Sequence, residues 1–238
     1  HKVTLYEKEP ELGGLLRVIS YPSFKKDYKE FMDWQISELD RQGVEIIKNV
    51  EVTQDIVKEG APDTVIVATG GEILYPDIKG IKERKCYNSL DILRGEIPKE
   101  NKILVCGANL AGVEVAMWLA EEHNKEVVLI DQIDEIVPNV DPFTQMIIRS
   151  RLIEDDVEIK INHFIEEMTC DGLKCVSDDC SIEIESEALV LCLGMKANNK
   201  LTKELENVVK ELISIGDAVE PRKVYDAVHE GYHASRII

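Results

Sequence analysis

The sequence predicts an α/β chain in which two consecutive units repeat one plan, a parallel sheet between helical layers, with a β-meander added to the second. Three observations carry this. Apolar β-branched runs that close on glycine occur twice, as DTVIVATGG and EALVLCLG. A strand that closes on an acid also occurs twice, at Glu7 and at Asp131. Between them, NKILVCGANLAGVEVAMWLAEEHNKEVVLIDQ reads as strand, glycine-containing turn, helix and strand, a complete βαβ unit. Continuous β-branched runs of this length suit strands buried on both faces, as in a parallel sheet with helical cover.

Taken in order, Val3–Tyr6 reads as a short strand ending at Glu7, followed by the pair Gly13 and Gly14. A helical stretch spans about Lys25 to Gln42, then come strands at Val44–Lys48 and Thr64–Ala68, the latter closed by Thr-Gly-Gly. In the second series a strand over 102–106 leads into the βαβ unit. A helix over Pro142–Ile153 and a strand over Val157–Ile161 follow. Residues 163–186 alternate polar and apolar, with turn signals at Asp171-Gly172 and Asp178-Asp179, so they read as a hairpin or meander. The tail gives a strand at Leu212–Ile215, then Gly216-Asp217 and a last helix from about Lys223.

Composition bounds the function. The chain has 238 residues, 44% hydrophobic and 31% charged, with a formal charge of −18. Such a charge repels phosphate backbones and anionic headgroups, which argues against nucleic-acid or membrane partners. No apolar run approaches the roughly 18–20 residues that span a bilayer, and the six cysteines lack the pattern of a secreted disulfide scaffold, so the expected location is cytoplasmic. The opening HKVTLYEKEPELGG enters an apolar strand almost at once. The second series keeps its first strand and glycine turn, and the first has no counterpart to them. The chain therefore reads as a fragment of a longer polypeptide, with the first unit truncated.

The motif with most weight is the turn of the second series. A dinucleotide needs a tight turn, close backbone approach to the pyrophosphate, and a helix N-terminus aimed at that charge. Gly107 closes the strand, Gly112 sits at the helix–strand packing position, and Asp131 ends the next strand about 20 residues on, where a carboxylate meets a ribose 2′-OH. The middle glycine is replaced by Asn109, giving G-A-N-L-A-G. Asn tolerates the left-handed region, so the turn is expected to survive with the side chain crowding the phosphate. No Arg follows Asp131 closely, so NADH is expected over NADPH. Together these features predict two Rossmann-like nucleotide-binding domains: 1–75 with 196–238, and an inserted NAD(H)-binding domain over 76–195.

The sequence resembles the C-terminal half of the 2,4-dienoyl-CoA reductase, enoate reductase and trimethylamine dehydrogenase group, flavoproteins whose N-terminal half is an old-yellow-enzyme-like barrel. The resemblance is carried by VTLYEKEPELGGLL, FMDWQISELDRQGVEI, TVIVATGG, KILVCGANLAGVEVA, ALVLCLGMKANNKL and ISIGDAVEPRKVYDAVHEGYHASRII. It makes the first domain FAD-binding, the two together being FAD/NAD(P)-binding folds. It implies FAD contacts at Glu7 (adenosine ribose), Gly14 and Val52 (backbone, near the adenine), with Ala68, Thr69 and Gly70 lining the crossover near the pyrophosphate. It also implies that Gly216 and Asp217 meet the ribityl chain and that the helix opening at Val224 points at the flavin ring. Gly107, Asn109, Leu110, Asp131 and Gly194 would serve NADH, with Glu114 near the nicotinamide. Hydride would pass from NADH to FAD, and electrons onward to an iron–sulfur cluster and FMN in the N-terminal barrel. FAD is expected to be held weakly or not at all by this chain, and the truncated sheet edge to be covered by self-association or left locally disordered. No side chain is assigned as acid or base, because in such enzymes the flavin does the chemistry.

Competing signals are weaker. GGLLRVISY has no cysteine, which sets the chain apart from disulfide reductases with a Cys-x4-Cys pair at that point. HEGYH at 229–233 matches a zinc pattern literally, but Gly231 weakens its helix and no third ligand follows before Ile238. Cys170, Cys175 and Cys180, five apart in a meander, do not converge on a cluster and are expected to be buried or half-buried thiols. Trp34 and Trp118 are expected to pack, and the acids at 121–122 and 154–156 to be solvated helix ends. The rival function is a non-catalytic NADH-binding or sensing module.

Overall fold

The computed structural model describes residues 1–83, 85–177 and 180–238. In chain order the first elements are β1 (Thr4–Glu7), α1 (Gly14–Ile19), α2 (Lys26–Arg41), β2 (Glu45–Lys48), α3 (Gln54–Gly60), β3 (Thr64–Val67) and β4 (Gly71–Ile73). Next come β5 (Cys86–Asn88), α4 (Ser89–Leu93), β6 (Lys102–Cys106), α5 (Leu110–Glu121), β7 (Glu126–Ile130), α6 (Pro142–Glu154) and β8 (Glu158–Lys160). The meander follows as β9 (Phe164–Thr169), β10 (Gly172–Ser177) and β11 (Cys180–Glu185). The chain closes with β12 (Ala188–Leu191), β13 (Met195–Ala197), α7 (Lys200–Leu205), β14 (Glu211–Ser214) and α8 (Val224–Ser235). It divides into unit 1, His1–Glu72 with Met195–Ile238, and unit 2, Ile73–Gly194.

Unit 2 is built on a five-stranded sheet of order β5-β12-β6-β7-β8, parallel throughout. Its inner strands β12, β6 and β7 are buried almost throughout, as their unbroken apolar runs require. One face carries Leu104, Cys106, Val128, Ile130, Leu189 and Leu191 and packs on Met168, Leu173, Cys175 and Ile184 of the antiparallel meander β11-β10-β9. Ile103 and Val105 alternate to the opposite side and are fully buried. Helix α5 lies against β6 and β7. It is apolar nearly all round and buries Gly112, Val113 and residues 115–119, the pattern of a core helix rather than a surface one. Each fully buried Leu or Val of this core contributes on the order of 1.5–3 kcal/mol.

Unit 1 contains two separate parallel pairs, β1 with β2 and β3 with β14, and the β4–β13 pair. Val57, Val67, Leu205 and Ala218 form its buried cluster, with Val52, Val65 and Leu212 packed at its edge. Met32 of α2 is buried against Gly13, where a side chain on that glycine would strike the Met32 sulfur.

The longer elements fall within one or two residues of the sequence reading. The short ones α1, α3, α4, α7, β4, β5 and β13 are absent from it, because segments of three to seven residues carry too little periodicity to register. The expected Asp178-Asp179 turn lies outside the described residues. Three packing expectations need correction. Trp34 is 57% exposed and stacks on Phe31, since α2 turns that face to solvent. Cys170, just after β9, and Cys180, the first residue of β11, are exposed, while Cys175 within β10 is buried. Asp155 is not a solvated helix end: it is half-buried after α6, and burial pushes its carboxyl above the usual carboxylate range.

Candidate nucleotide-binding site

The β6–α5 turn of unit 2 is held from every side by the chain's own backbone and by two side chains. Gly107 adopts φ +110°, a conformation that favours glycine, and a Cβ there would overlap the Cys192 carbonyl oxygen. A Cβ on Gly112 would overlap the Gly107 carbonyl oxygen, so this glycine sets the close packing of helix on strand. The Gly107 N–H donates to the Ile130 carbonyl at 2.8 Å, and the Ala108 carbonyl accepts from Val137 N–H at 2.8 Å.

Asp131 and Asn109 complete the turn. The Ala108 N–H donates to Asp131 Oδ2 at 2.6 Å, and Ile133 N–H donates to Oδ1 at 3.3 Å. The sequence placed Asp131 at a ribose; the structure gives it this further bond, which fixes the turn to the end of β7. Asn109 is not left-handed: at φ −71°, ψ 178° it is the extended N-cap of α5. Its Oδ1 accepts the Gly112 N–H at 3.1 Å, and its Nδ2 donates to the Cys192 carbonyl. The expected crowding of a phosphate is replaced by an amide folded against backbone, because capping the helix demands an extended residue with an acceptor. Leu110 and Ala111 supply the first amides of a 12-residue helix, where the peptide dipoles favour an anion. Gly194, at φ +99°, has open space where a side chain would lie, and Glu114 is half-buried on α5.

These residues fit a dinucleotide: a backbone cradle that a Cβ would fill, a helix N-terminus, and a carboxylate at the end of the next strand. The thiols beside the turn are not nucleophiles. Burial pushes Cys192 up to about 12 and Cys106 well above its ordinary value, so both stay protonated.

In unit 1 the residues expected at a flavin are distributed over four loops. Glu7 ends β1 half-buried, its Oε1 accepting the Glu9 N–H at 2.9 Å. Gly14 opens α1 at φ +50°, and Val52 packs at the edge of the buried cluster. Ala68 and Thr69 are exposed beyond β3, with Thr69 Oγ1 donating to the Asn198 carbonyl at 2.8 Å. Gly70, at φ +74°, accepts from Asn198 N–H through its carbonyl. Asp217 Oδ1 accepts the Arg222 N–H at 3.1 Å, and Val224 is the first residue of α8.

Sequence reasoning missed one organiser of this region. Glu230, which it considered only as a zinc-site base, reaches back from α8 to accept the Gly216 N–H at 2.6 Å and pairs with the Arg222 guanidinium. Those two partners hold its carboxyl below the usual carboxylate range. Whatever stability the contact gives is therefore present above the ordinary carboxylate range and lost as pH falls through the lowered value. The spacing Gly216-x13-Glu230 gave no signal, because only the return of α8 beside β14 brings the two together. His229 lies against the Tyr225 ring at 4.0 Å between centroids, and 6.3 Å separates the rings of His229 and His233. The purified chain is expected to carry no stoichiometric zinc, with His233→Ala leaving the fold intact. One zinc per chain, lost in that variant, would overturn this reading of the tail.

Together the parallel sheet, the glycine turn and the carboxylate at the following strand end define a Rossmann-like α/β module whose turn fits a dinucleotide. The chain belongs to the pyridine nucleotide-disulphide oxidoreductase family, whose sequence profile matches residues 20–215. It is 30% identical to an NADH oxidase of Thermoanaerobacter brockii over 99% of this chain and 37% of that protein. It is 27% identical to a cinnamate reductase of Clostridium sporogenes over 100% of this chain and 36% of that protein. Among solved structures, a 2-naphthoyl-CoA reductase in complex with 2-naphthoyl-CoA superposes with a TM-score of 0.92 at 30% identity, covering 98% of this chain and 35% of that one. The chain thus spans little more than a third of the length of these relatives. No helix among the described residues is long and apolar enough to cross a membrane.

Proposed function

We propose that the chain is the NADH- and FAD-binding portion of a flavin oxidoreductase of the 2,4-dienoyl-CoA reductase, enoate reductase and trimethylamine dehydrogenase group. Unit 2 takes NADH and unit 1 belongs to the FAD site. In the complete protein, an N-terminal barrel with FMN and an iron–sulfur cluster receives the electrons. The observation that carries the reading is the turn at 107–112 with Asp131 behind it. The names of the relatives, an NADH oxidase and two reductases, support the same class of chemistry.

When bound, NADH supplies hydride and FAD accepts it. The chain's own part is to bind and orient. The amides of Leu110 and Ala111 meet the pyrophosphate, and Asp131 accepts from the ribose while still holding Ala108, since a carboxylate has about four acceptor positions. Gly194 leaves room beside the nicotinamide, with Glu114 near it. Glu7, Gly14, Val52, Ala68, Thr69, Gly70, Gly216, Asp217 and the amide end at Val224 orient FAD.

Titration of the chain with NADH tests the first half, and absence of binding would sink it. The second half is tested with excess FAD and NADH, without oxygen, on a form of the chain first shown to hold flavin. An oxidoreductase portion bleaches the flavin's visible absorbance faster than the two reagents do alone, whereas a sensing module binds NADH and leaves that rate unchanged.

A further inference from the structure

We propose that Asn109 is a positioning residue for the pyrophosphate turn, and that it holds the turn better than the glycine usual at that place in the dinucleotide motif. The inference rests on the assignment of NADH to unit 2. Both ends of the Asn109 amide are used by backbone. Oδ1 caps α5 through the Gly112 N–H, and Nδ2 donates to the carbonyl of Cys192, 83 residues away. Reversing the amide would set oxygen against oxygen and N–H against N–H, so the two contacts fix its orientation. The same Cys192 carbonyl lies where a Cβ on Gly107 would sit, so one acceptor is enclosed by the first residue of the turn and by the third. Cys192 is buried, and its own N–H donates to the Cys106 carbonyl at 2.7 Å. Asn109 thereby ties the start of α5 to the end of β12, two residues before Gly194.

This tie has a consequence for the ligand. The amides of Leu110 and Ala111 follow directly on Asn109, so their direction depends on how firmly residue 109 is held. Glycine there would lose the side-chain cap, free the backbone, and remove a donor from a buried carbonyl, an uncompensated loss. The usual motif places glycine at this point to let a phosphate approach. Here the side chain is turned into the protein, so approach is not obstructed.

The experiment compares wild type with Asn109→Gly and Asn109→Ser for binding of NADH and of AMP, alongside thermal melting. Asn109→Gly restores the full glycine motif, yet it is expected to weaken NADH binding about tenfold, the cost of one lost buried hydrogen bond. Asn109→Ser keeps a capping oxygen but is too short to reach Cys192, so its loss is expected to be intermediate. AMP, which lacks the pyrophosphate, is expected to weaken less than NADH in both. Equal or tighter NADH binding by Asn109→Gly would overturn the proposal, leaving Asn109 merely tolerated. Equal weakening of NADH and AMP would also overturn it, by showing a general loosening of unit 2. If wild type itself binds neither ligand, the nucleotide reading of unit 2 fails, a result distinct from either of these.

Discussion

Purified alone, this chain is expected to hold FAD weakly or not at all. A form extended ahead of β1 by a strand, glycine turn and helix is expected to hold one FAD per chain. The two units make the reason visible. In unit 2, β6 lies between β12 and β7, and the turn proposed to receive a pyrophosphate leads out of β6. Unit 1 has a counterpart to each neighbour: β3, an apolar run closing toward Gly70, and β1, which closes on Glu7. Each is paired on one side only, β3 with β14 and β1 with β2, and no strand joins them among the described residues. Among the described residues of unit 1, no glycine turn and helix lead out of a strand set between β1 and β3 to meet the FAD diphosphate. What remains is Glu7, Asp217 and the start of α8, orienting contacts around an unneutralised diphosphate in a chain of charge −18. Exposed Val3, Tyr6 and Ile66 mark the open edges, and a cleft of about 570 Å³ lined by Ile213, Ile215, Val219 and His233 opens beside α8. Such edges and apolar surface favour self-association. The measurement is flavin per chain in the short and extended forms; a yellow short form with one FAD would show that the wrong contacts have been credited.

NADH is expected to bind more tightly than NADPH by about ten- to a hundredfold, on the order of 1–3 kcal/mol. A 2′-phosphate would stand beside the Asp131 carboxylate, and the residues that follow, Gln132, Ile133, Asp134 and Glu135, bring no cation. Lys160, on the neighbouring strand, is already paired with Glu158 at 2.5 Å. The structure refines the choice of variant. Asp131→Ala removes the charge but also frees the Ala108 N–H, so it is expected to weaken NADH itself and lower the melting temperature. Asp131→Asn keeps an acceptor for Ala108 and removes the charge, so it is expected to narrow the preference with less loss of NADH. Wild type binding both nucleotides equally would refute the role of Asp131. A preference left unchanged in Asp131→Asn would show that discrimination lies elsewhere.

The sequence by itself determined the α/β class, the β6–α5–β7 unit, the meander, and the places of Gly107, Gly112 and Asp131. These depend on neighbours in the chain: strand runs, helical periodicity, and glycine where the backbone must turn sharply or pack closely. Tertiary structure decided how side chains at those places are used. Asn109 looked like a compromise for glycine until β12, brought beside β6 by the sheet order, set the Cys192 carbonyl within its reach. Asp131 looked like a ligand residue alone until the turn folded back to give it the Ala108 N–H. Glu230 read as part of a zinc pattern until α8 returned against the loop after β14. Trp34, in a helical pattern like that of Trp118, faces solvent because α2 has no partner over that face among the described residues, whereas α5 is enclosed. Periodicity records which residues share a face, but the partner of a polar atom 14 or 83 residues away is set only when the sheet order is complete.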